Sequence, residues 1–361
     1  MRALVFLAVA AGAAICLPAA ACTVDKASYG QLSSGQTVDA WTIHGNHMNV
    51  TVLSLGGILK DIEVPDRKGV MGNVVRNLNN LAAYEGRANF SSLIGRYANR
   101  ISGGGFTLDG QRIDLDKPDV VVSHGGAKSF GTRIWSVTPA KCGLDLSLVS
   151  PDGDNGFPGE VKVTVRYRVS VGKLTLDYSA TTTKPTVVAL THHAYFNLSG
   201  QDNVYDQTLQ INADRYLVTD SKRVPTGEIL PLDGTPMDVR KGKVIRDVVT
   251  SAHPSVVAAK GLDHTFVLIG KGMKTAAVLS DPSSGRKLTV STTEPGLVVY
   301  TAGGFNGSLT GADGRPLGAG AGVALEAQHF PDSPNHADFP STELKPGQTL
   351  RATTVFAFSA K

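Results

Sequence analysis

The sequence predicts an all-β protein built as one large antiparallel β-sandwich, and three observations carry that prediction. Segments that alternate apolar and polar residues recur along the chain. Helical periodicity is scarce. Forty glycines and eighteen prolines supply the turns that many short strands need. The clearest alternation is Val161-Lys162-Val163-Thr164-Val165-Arg166-Tyr167-Arg168-Val169, which reads as a strand with one buried and one wet face. Leu174 to Tyr178 repeats the pattern after Gly172-Lys173, so the two segments read as a hairpin. Phe106 to Ile113 predicts another, turning at Asp109-Gly110. Gly322 to Glu326 and Thr353 to Phe358 read as strands near the end. The strand pattern runs from about Thr37 onward, with short helices expected only at Asn79 to Glu85 and around Val256 to Lys260. Residues 22–361 contain no dividing linker and are expected to form a single domain. Gly311 to Gly322 is the most glycine-rich stretch; it lies too near the end to separate two cores and reads as a surface loop.

Composition narrows the function. With 361 residues, 42% hydrophobic and 18% charged, the chain can bury a large core and is not of disordered type. A net charge of +4 is spread over scattered lysines and arginines, so no basic patch points to nucleic acid. Residues 1–21 read as a signal peptide: Arg2, an apolar run from Leu4 to Leu17, then Ala19-Ala20-Ala21 as small residues at a cleavage site. The run is too short for a confident membrane span. The expectation is therefore an exported protein, periplasmic or extracellular, or one tethered as a lipoprotein through Cys22. Three cysteines are present. Cys16 would leave with the signal, and Cys22 has three fates open: lipidation, a disulfide with Cys142, or a free thiol.

Two segments place polar groups where a plain strand protein would not. Thr191-His192-His193-Ala194-Tyr195-Phe196-Asn197-Leu198 follows the apolar run Val187 to Leu190. Period two puts His193, Tyr195 and Asn197 on one face, opposite His192, Ala194 and Phe196. A histidine beside a tyrosine can supply a proton donor and a ring for a sugar, although taken alone the segment is better explained by a satisfied core histidine. The second segment is Leu325-Glu326-Ala327-Gln328-His329-Phe330-Pro331-Asp332. A carboxylate at the end of an apolar strand is either a paired structural acid or a base with a raised pKa.

These segments stand in order with Ile94-Gly95-Arg96-Tyr97-Ala98-Asn99-Arg100-Ile101, His124-Gly125-Gly126, Leu262-Asp263-His264-Thr265-Phe266 and Pro295-Gly296-Leu297 with Tyr300-Thr301. In that set and order the chain resembles the aldose 1-epimerases, or galactose mutarotases, from roughly Tyr29 to its C-terminus. The resemblance implies the family's supersandwich fold and interconversion of the α and β anomers of free hexoses. It implies His193 as general acid on the ring oxygen and Glu326 as general base on the anomeric hydroxyl. It further implies that Asn99, Arg100, His124, Tyr195 and Asp263 bind the sugar. No cofactor and no metal are implied, and a monomer or homodimer is expected. Val298 departs from the glutamine that many relatives carry at this place; valine cannot hydrogen-bond a hydroxyl, which bears on the preferred hexose.

Other readings rank lower. A glycosidase would pair two carboxylates, for which Asp263 and Glu326 are the candidates, whereas the best pair is a histidine with a glutamate. A non-catalytic exported sugar-binding protein of the same fold is the alternative from another class, and the presence of both His193 and Glu326 speaks against it. His44 with His47, and His329 with His336, lack a zinc-like ligand set and read as ordinary hydrogen-bonding histidines.

Overall fold

The structure is a computed structural model that describes residues 22–87, 89–116 and 120–361. The expected signal segment, residues 1–21, lies outside the described residues. Three antiparallel sheets dominate. The strands Thr23–Gln31, Thr37–Gly45, Met48–Leu53, Leu59–Pro65 and Met71–Asn73 pair in sequence order to make a five-stranded sheet. A nine-stranded sheet has at its centre Val161–Ser170, Lys173–Thr182, Leu350–Ala360 and Arg286–Thr292 as neighbours. A six-stranded sheet runs in the spatial order Tyr195–Phe196, Val323–Gln328, Gly296–Tyr300, Asp263–Leu268, Ala213–Thr219, Pro225–Pro231.

Period-two side-chain alternation explains how the layers adhere. Val163 and Leu176 of the nine-stranded sheet, Leu297 and Leu325 of the six-stranded sheet, and Val50 and Ile62 of the five-stranded sheet all enter one buried cluster. Each is at most 2% exposed, and full burial of such a side chain is worth about 1.5–3 kcal/mol. The expected hairpin Val161–Ser170 with Lys173–Thr182 is present in register from Val161↔Thr182 to Ser170↔Lys173. Its turn falls one residue earlier than expected, at Val171-Gly172, where Gly172 takes a φ of +64°. The hairpin at Asp109-Gly110 and the short helices Leu81–Tyr84 and Pro254–Ala259 also form.

Three features were not legible. The strand Thr23–Gln31 lies ahead of Thr37; it is a sheet edge with mostly exposed side chains, so it carries no two-residue hydrophobic signal. A third short helix spans Ile245–Val249. The glycine-rich loop is only partly superficial: residues 312–316 are exposed, but Leu317, Gly320 and Ala321 are buried, and a Cβ at Gly320 would run into the ring of Tyr205. Of the three fates of Cys22, the structure shows the disulfide with Cys142, which joins Cα atoms 5.1 Å apart across 120 positions of sequence. Among the described residues no helix is long and apolar enough to cross a membrane.

Candidate active site

The site is built on the face of the six-stranded sheet turned away from the common core. In the strand Val323–Gln328, Val323, Leu325 and Ala327 point into the core, so Ala324 and Glu326 point the other way. Register carries the same face across the sheet. Glu326 stands opposite Val298, Tyr300 opposite Ala324, and Asp263 opposite Tyr300. Alternation thus brings one carboxylate from each of two strands to one side, with a tyrosine between them.

The second wall comes from the segment that carries the paired histidines. It is not one strand but two short pieces, Thr191–His192 and Tyr195–Phe196, bound to different partners. The two adjacent histidines nevertheless face opposite ways, as period two places them. His192 turns inward, contacts the backbone carbonyl of Gly57 through Nε2 at 3.3 Å and packs against the Tyr167 ring. His193 turns to the cavity, where its Nε2 lies 3.4 Å from Oε1 of Glu326. Tyr195 follows it, ring centroids 4.9 Å apart, and Phe90 and Phe305 close the aromatic wall behind Tyr195. Asn197 departs from its expected place on this face: its side-chain amide donates to the carbonyls of Gln201 and Ala321 and braces a loop.

Asn99 and His124 arrive from loops. Both adopt left-handed backbone conformations, φ +64° and +50°, and are tied to each other twice. The His124 amide donates to the Asn99 carbonyl at 2.7 Å, and the Asn99 amide donates to Nδ1 of His124 at 3.3 Å. Because Nδ1 accepts, the neutral ring carries its proton on Nε2. The His124 and His193 rings are 5.4 Å apart. Gly125 next to it must be glycine, since a Cβ there would strike the Gly95–Arg96 backbone. Arg100 donates to Oδ1 of Asn99 at 3.1 Å and reaches Oδ2 of Asp263 at 3.5 Å, joining loop to sheet. The other arginine of that sequence motif, Arg96, is structural: its buried guanidinium donates to the carbonyls of Pro151, Pro158 and Gly159.

Burial sets the electrostatics. Desolvation lowers the His193 imidazole to a pKa of about 4, against a smaller upward pull from Asp263. Desolvation pushes the Glu326 carboxyl well above the usual carboxylate range; Asp263 adds to this and Arg100 opposes it. His124 is also held well below its ordinary value, first by burial and then by His193 and Arg100. Oε2 of Glu326 and Nδ1 of His193 are buried and lack a hydrogen-bond partner among the described residues. Buried polar atoms left in this state cost about 1–3 kcal/mol each, which makes them candidates for a ligand's hydroxyl groups.

All seven residues expected at the site, Asn99, Arg100, His124, His193, Tyr195, Asp263 and Glu326, line one cavity of about 540 Å³. Reasoning from sequence missed Arg223, Arg87, Phe90 and Phe305, which also line it. Tyr300 was noted only as part of a motif. Nothing local in the sequence distinguishes Arg223 from a surface arginine, because the turn that aims it is read only in three dimensions. His124, His193 and Glu326 bring one possible ligand atom each to within 4.8 Å of one another, so among the described residues these are the three whose spacing could admit a metal ion.

The family model described as aldose 1-epimerase matches residues 39–357. The chain is 38% identical to the galactose mutarotase of Bos taurus over 345 residues, covering 93% of this chain and 99% of the relative. It is 35% identical to the aldose 1-epimerase of Escherichia coli K12, covering 91% and 97%. Among solved structures, the galactose 1-epimerase from Lactobacillus acidophilus superposes with a TM-score of 0.82 at 28% identity, over 94% of this chain and 99% of that one.

Proposed function

The chain belongs to the aldose 1-epimerase family, a family of isomerases, and from that premise we propose that it interconverts the α and β anomers of free hexoses, galactose and glucose among them. The observation that carries the reading is the His193–Glu326 contact: an acid and a base of opposite kinds, 3.4 Å apart, buried, and open to one cavity. Ring opening of a hexose takes a proton from the anomeric hydroxyl and puts one on the ring oxygen. In this proposal Glu326 takes the first and His193 gives the second. Rotation about the C1–C2 bond then turns the other face of the aldehyde, and closure returns both protons.

Proton bookkeeping supports the assignment. The pair needs one shared proton at the working pH, and the reaction begins with that proton on His193 and ends with it on Glu326. Burial favours the neutral partners, which are the state reached when the ring has opened. The proximity of opposite charge favours the ion pair that starts the opening. The two arrangements are thereby drawn together in energy, which suits an acid and base that must run in both directions. Arg100, Asp263, Asn99 and His124 would hold hydroxyl groups, and the Tyr195 ring would pack against the apolar face of the sugar. The reaction as written moves only protons between the sugar and these side chains.

Residues 22–361 would act as one domain, delivered outside the cytoplasm by the signal segment. The Cys22–Cys142 disulfide supports an oxidising compartment and occupies the sulfur that a lipid anchor would need. Polarimetry of freshly dissolved α-D-galactose and α-D-glucose tests the function. Faster decay to the same final rotation is expected, and the ratio of the two rates reports what Val298 does to preference. A folded protein that accelerates neither would overturn the reading.

A further inference from the structure

The cavity holds more positive charge than a neutral sugar requires. Its lining includes three guanidinium groups, Arg87, Arg100 and Arg223, against two carboxyl groups, Asp263 and Glu326. Glu326 is in addition pushed toward its neutral form by burial. Arg100 is committed, with one nitrogen on Asn99 and another on Asp263. Arg223 is not. It donates once, from Nη1 to Oδ2 of Asp263 at 3.0 Å, and its remaining N–H groups have no acceptor among the described residues. The side chain is 36% exposed while lining the cavity. Arg87 donates through Nε to the Ala83 carbonyl, and its two terminal nitrogens have no acceptor among the described residues.

The chain positions Arg223 with care. It sits in the turn between Ala213–Thr219 and Pro225–Pro231, at φ +62°, a left-handed conformation uncommon for a long side chain. Asp220 fixes the turn, its Oδ1 accepting the amides of Lys222 and Val224 at 2.8 and 2.9 Å while its carbonyl accepts the Arg223 amide. Asp263 then holds Nη1 of the guanidinium, whose other nitrogens meet no acceptor among the described residues at the cavity wall. A planar guanidinium with a free edge is the protein's preferred receptor for a carboxylate or phosphate, which it binds through two parallel hydrogen bonds.

We propose that the substrates of this cavity include aldoses that carry an anionic group on a carbon other than C1, a hexuronate carboxylate or a sugar phosphate, and that Arg223 binds that group with Arg87 assisting at the rim. This rests on the acid–base reading of His193 and Glu326. Asp263 would keep its second oxygen for hydroxyl groups, because both arginines that reach it meet Oδ2.

The experiment is anomer exchange by NMR, with the uncatalysed rate subtracted, on D-galactose, D-galacturonate and D-galactose 6-phosphate. At least one anionic sugar is expected to show a kcat/KM about ten-fold or more above that of galactose. Its advantage should shrink as ionic strength rises while the galactose rate stays level. The better of the two anionic sugars identifies the group. Arg223→Gln should lose the advantage for the anionic sugar, Arg223→Lys should keep part of it, and Arg87→Gln should reduce it a few-fold. An anionic sugar no better than galactose, or a salt-independent ratio in the wild-type chain, overturns the proposal while leaving anomer exchange intact. Equal losses on both sugars in Arg223→Gln also overturn it, by showing that Arg223 acts only through Asp263. No exchange of any sugar would defeat the acid–base reading itself, and this inference with it.

Discussion

Two histidine–glutamate pairs flank the ladder of Gly296–Tyr300 and Val323–Gln328, one just past its end and one where Glu326 meets His193 from the neighbouring segment, and they are finished differently. Beyond the end of the ladder, where Gly296 stands opposite Gln328, Nδ1 of His329 meets Oε2 of Glu294 at 2.6 Å in a made hydrogen bond. Two rungs along, Glu326 meets His193; the pair is more deeply buried, at 2% and 4% side-chain exposure, yet approaches only to 3.4 Å and leaves Oε2 and Nδ1 without partners among the described residues. One pair is satisfied by the protein and fastens the sheet. The other is held apart and unsatisfied beside a cavity. Buried atoms without a partner among the described residues also occur elsewhere, as at His192 Nδ1 and Gln328 Oε1; what sets His193 and Glu326 apart is that both also line the cavity, where a ligand can complete their hydrogen bonds.

The largest effect that would sharpen this contrast is Glu326→Gln. The amide keeps the shape and removes the base, so kcat should fall by about a thousand-fold, within the usual range for loss of acid–base catalysis. The thermal midpoint should hold or rise, since a buried carboxyl is replaced by a neutral group. Polarimetry and a melting curve together decide it; wild-type turnover would remove Glu326 from the mechanism. His193→Gln should cost about a hundred-fold or more by the same argument. If that variant instead lost stability and kept turnover, His193 would belong with the structural histidines.

Legibility from sequence followed the same division. The sheet strands were readable wherever one face is buried, as in Val161–Ser170, because burial writes the two-residue alternation into the chain. Thr23–Gln31 was not, because an exposed edge has no such pattern to write. The expected site residues converge because they lie on or beside short strand pieces, or, like Asn99 and His124, at left-handed turn positions tied to each other. Arg223 escaped because its role depends on a turn that brings it to Asp263 across 40 positions. The assignment of Asn197 to the site face failed because the strand piece Tyr195–Phe196 ends one residue before it, and its side chain is drawn into the loop by the Gln201 and Ala321 carbonyls.

Breaking the satisfied pair should give the opposite phenotype from breaking the other. Glu294→Gln weakens a charge-assisted hydrogen bond beyond the end of the ladder and leaves the cavity untouched. A stability loss of about 1–3 kcal/mol is expected, read as a lower thermal midpoint, with kcat/KM for galactose within two-fold of wild type. A large loss of turnover at unchanged stability would mean that the ladder's end communicates with Glu326, and the two pairs would no longer be separable.

The smallest effect concerns the two adjacent histidines. His192 is buried against the Gly57 carbonyl and the Tyr167 ring, and burial lowers its pKa from 6.5 to about 3, with His193 lowering it further and the Gly57 hydrogen bond opposing. Its folded-state value is depressed, so between those two values the unfolded chain binds more protons than the folded one. Stability contributed by keeping His192 neutral is therefore present above pH 6.5 and is lost as the pH falls toward 3. The slope for one such group is at most about 1.4 kcal/mol per pH unit. Glu326, with a raised folded value, acts in the opposite sense: its contribution is present at low pH and is lost as the pH rises through that value. His192→Gln preserves a donor for the Gly57 carbonyl and removes the titration. The acid limb of its stability curve should be shallower than that of the wild type by up to that slope, while the pH dependence of turnover is unchanged. Urea denaturation at a series of pH values measures the first and polarimetry the second. A shift in the turnover profile would show that His192, on the far side of the broken strand, nevertheless tunes the proton shared by His193 and Glu326.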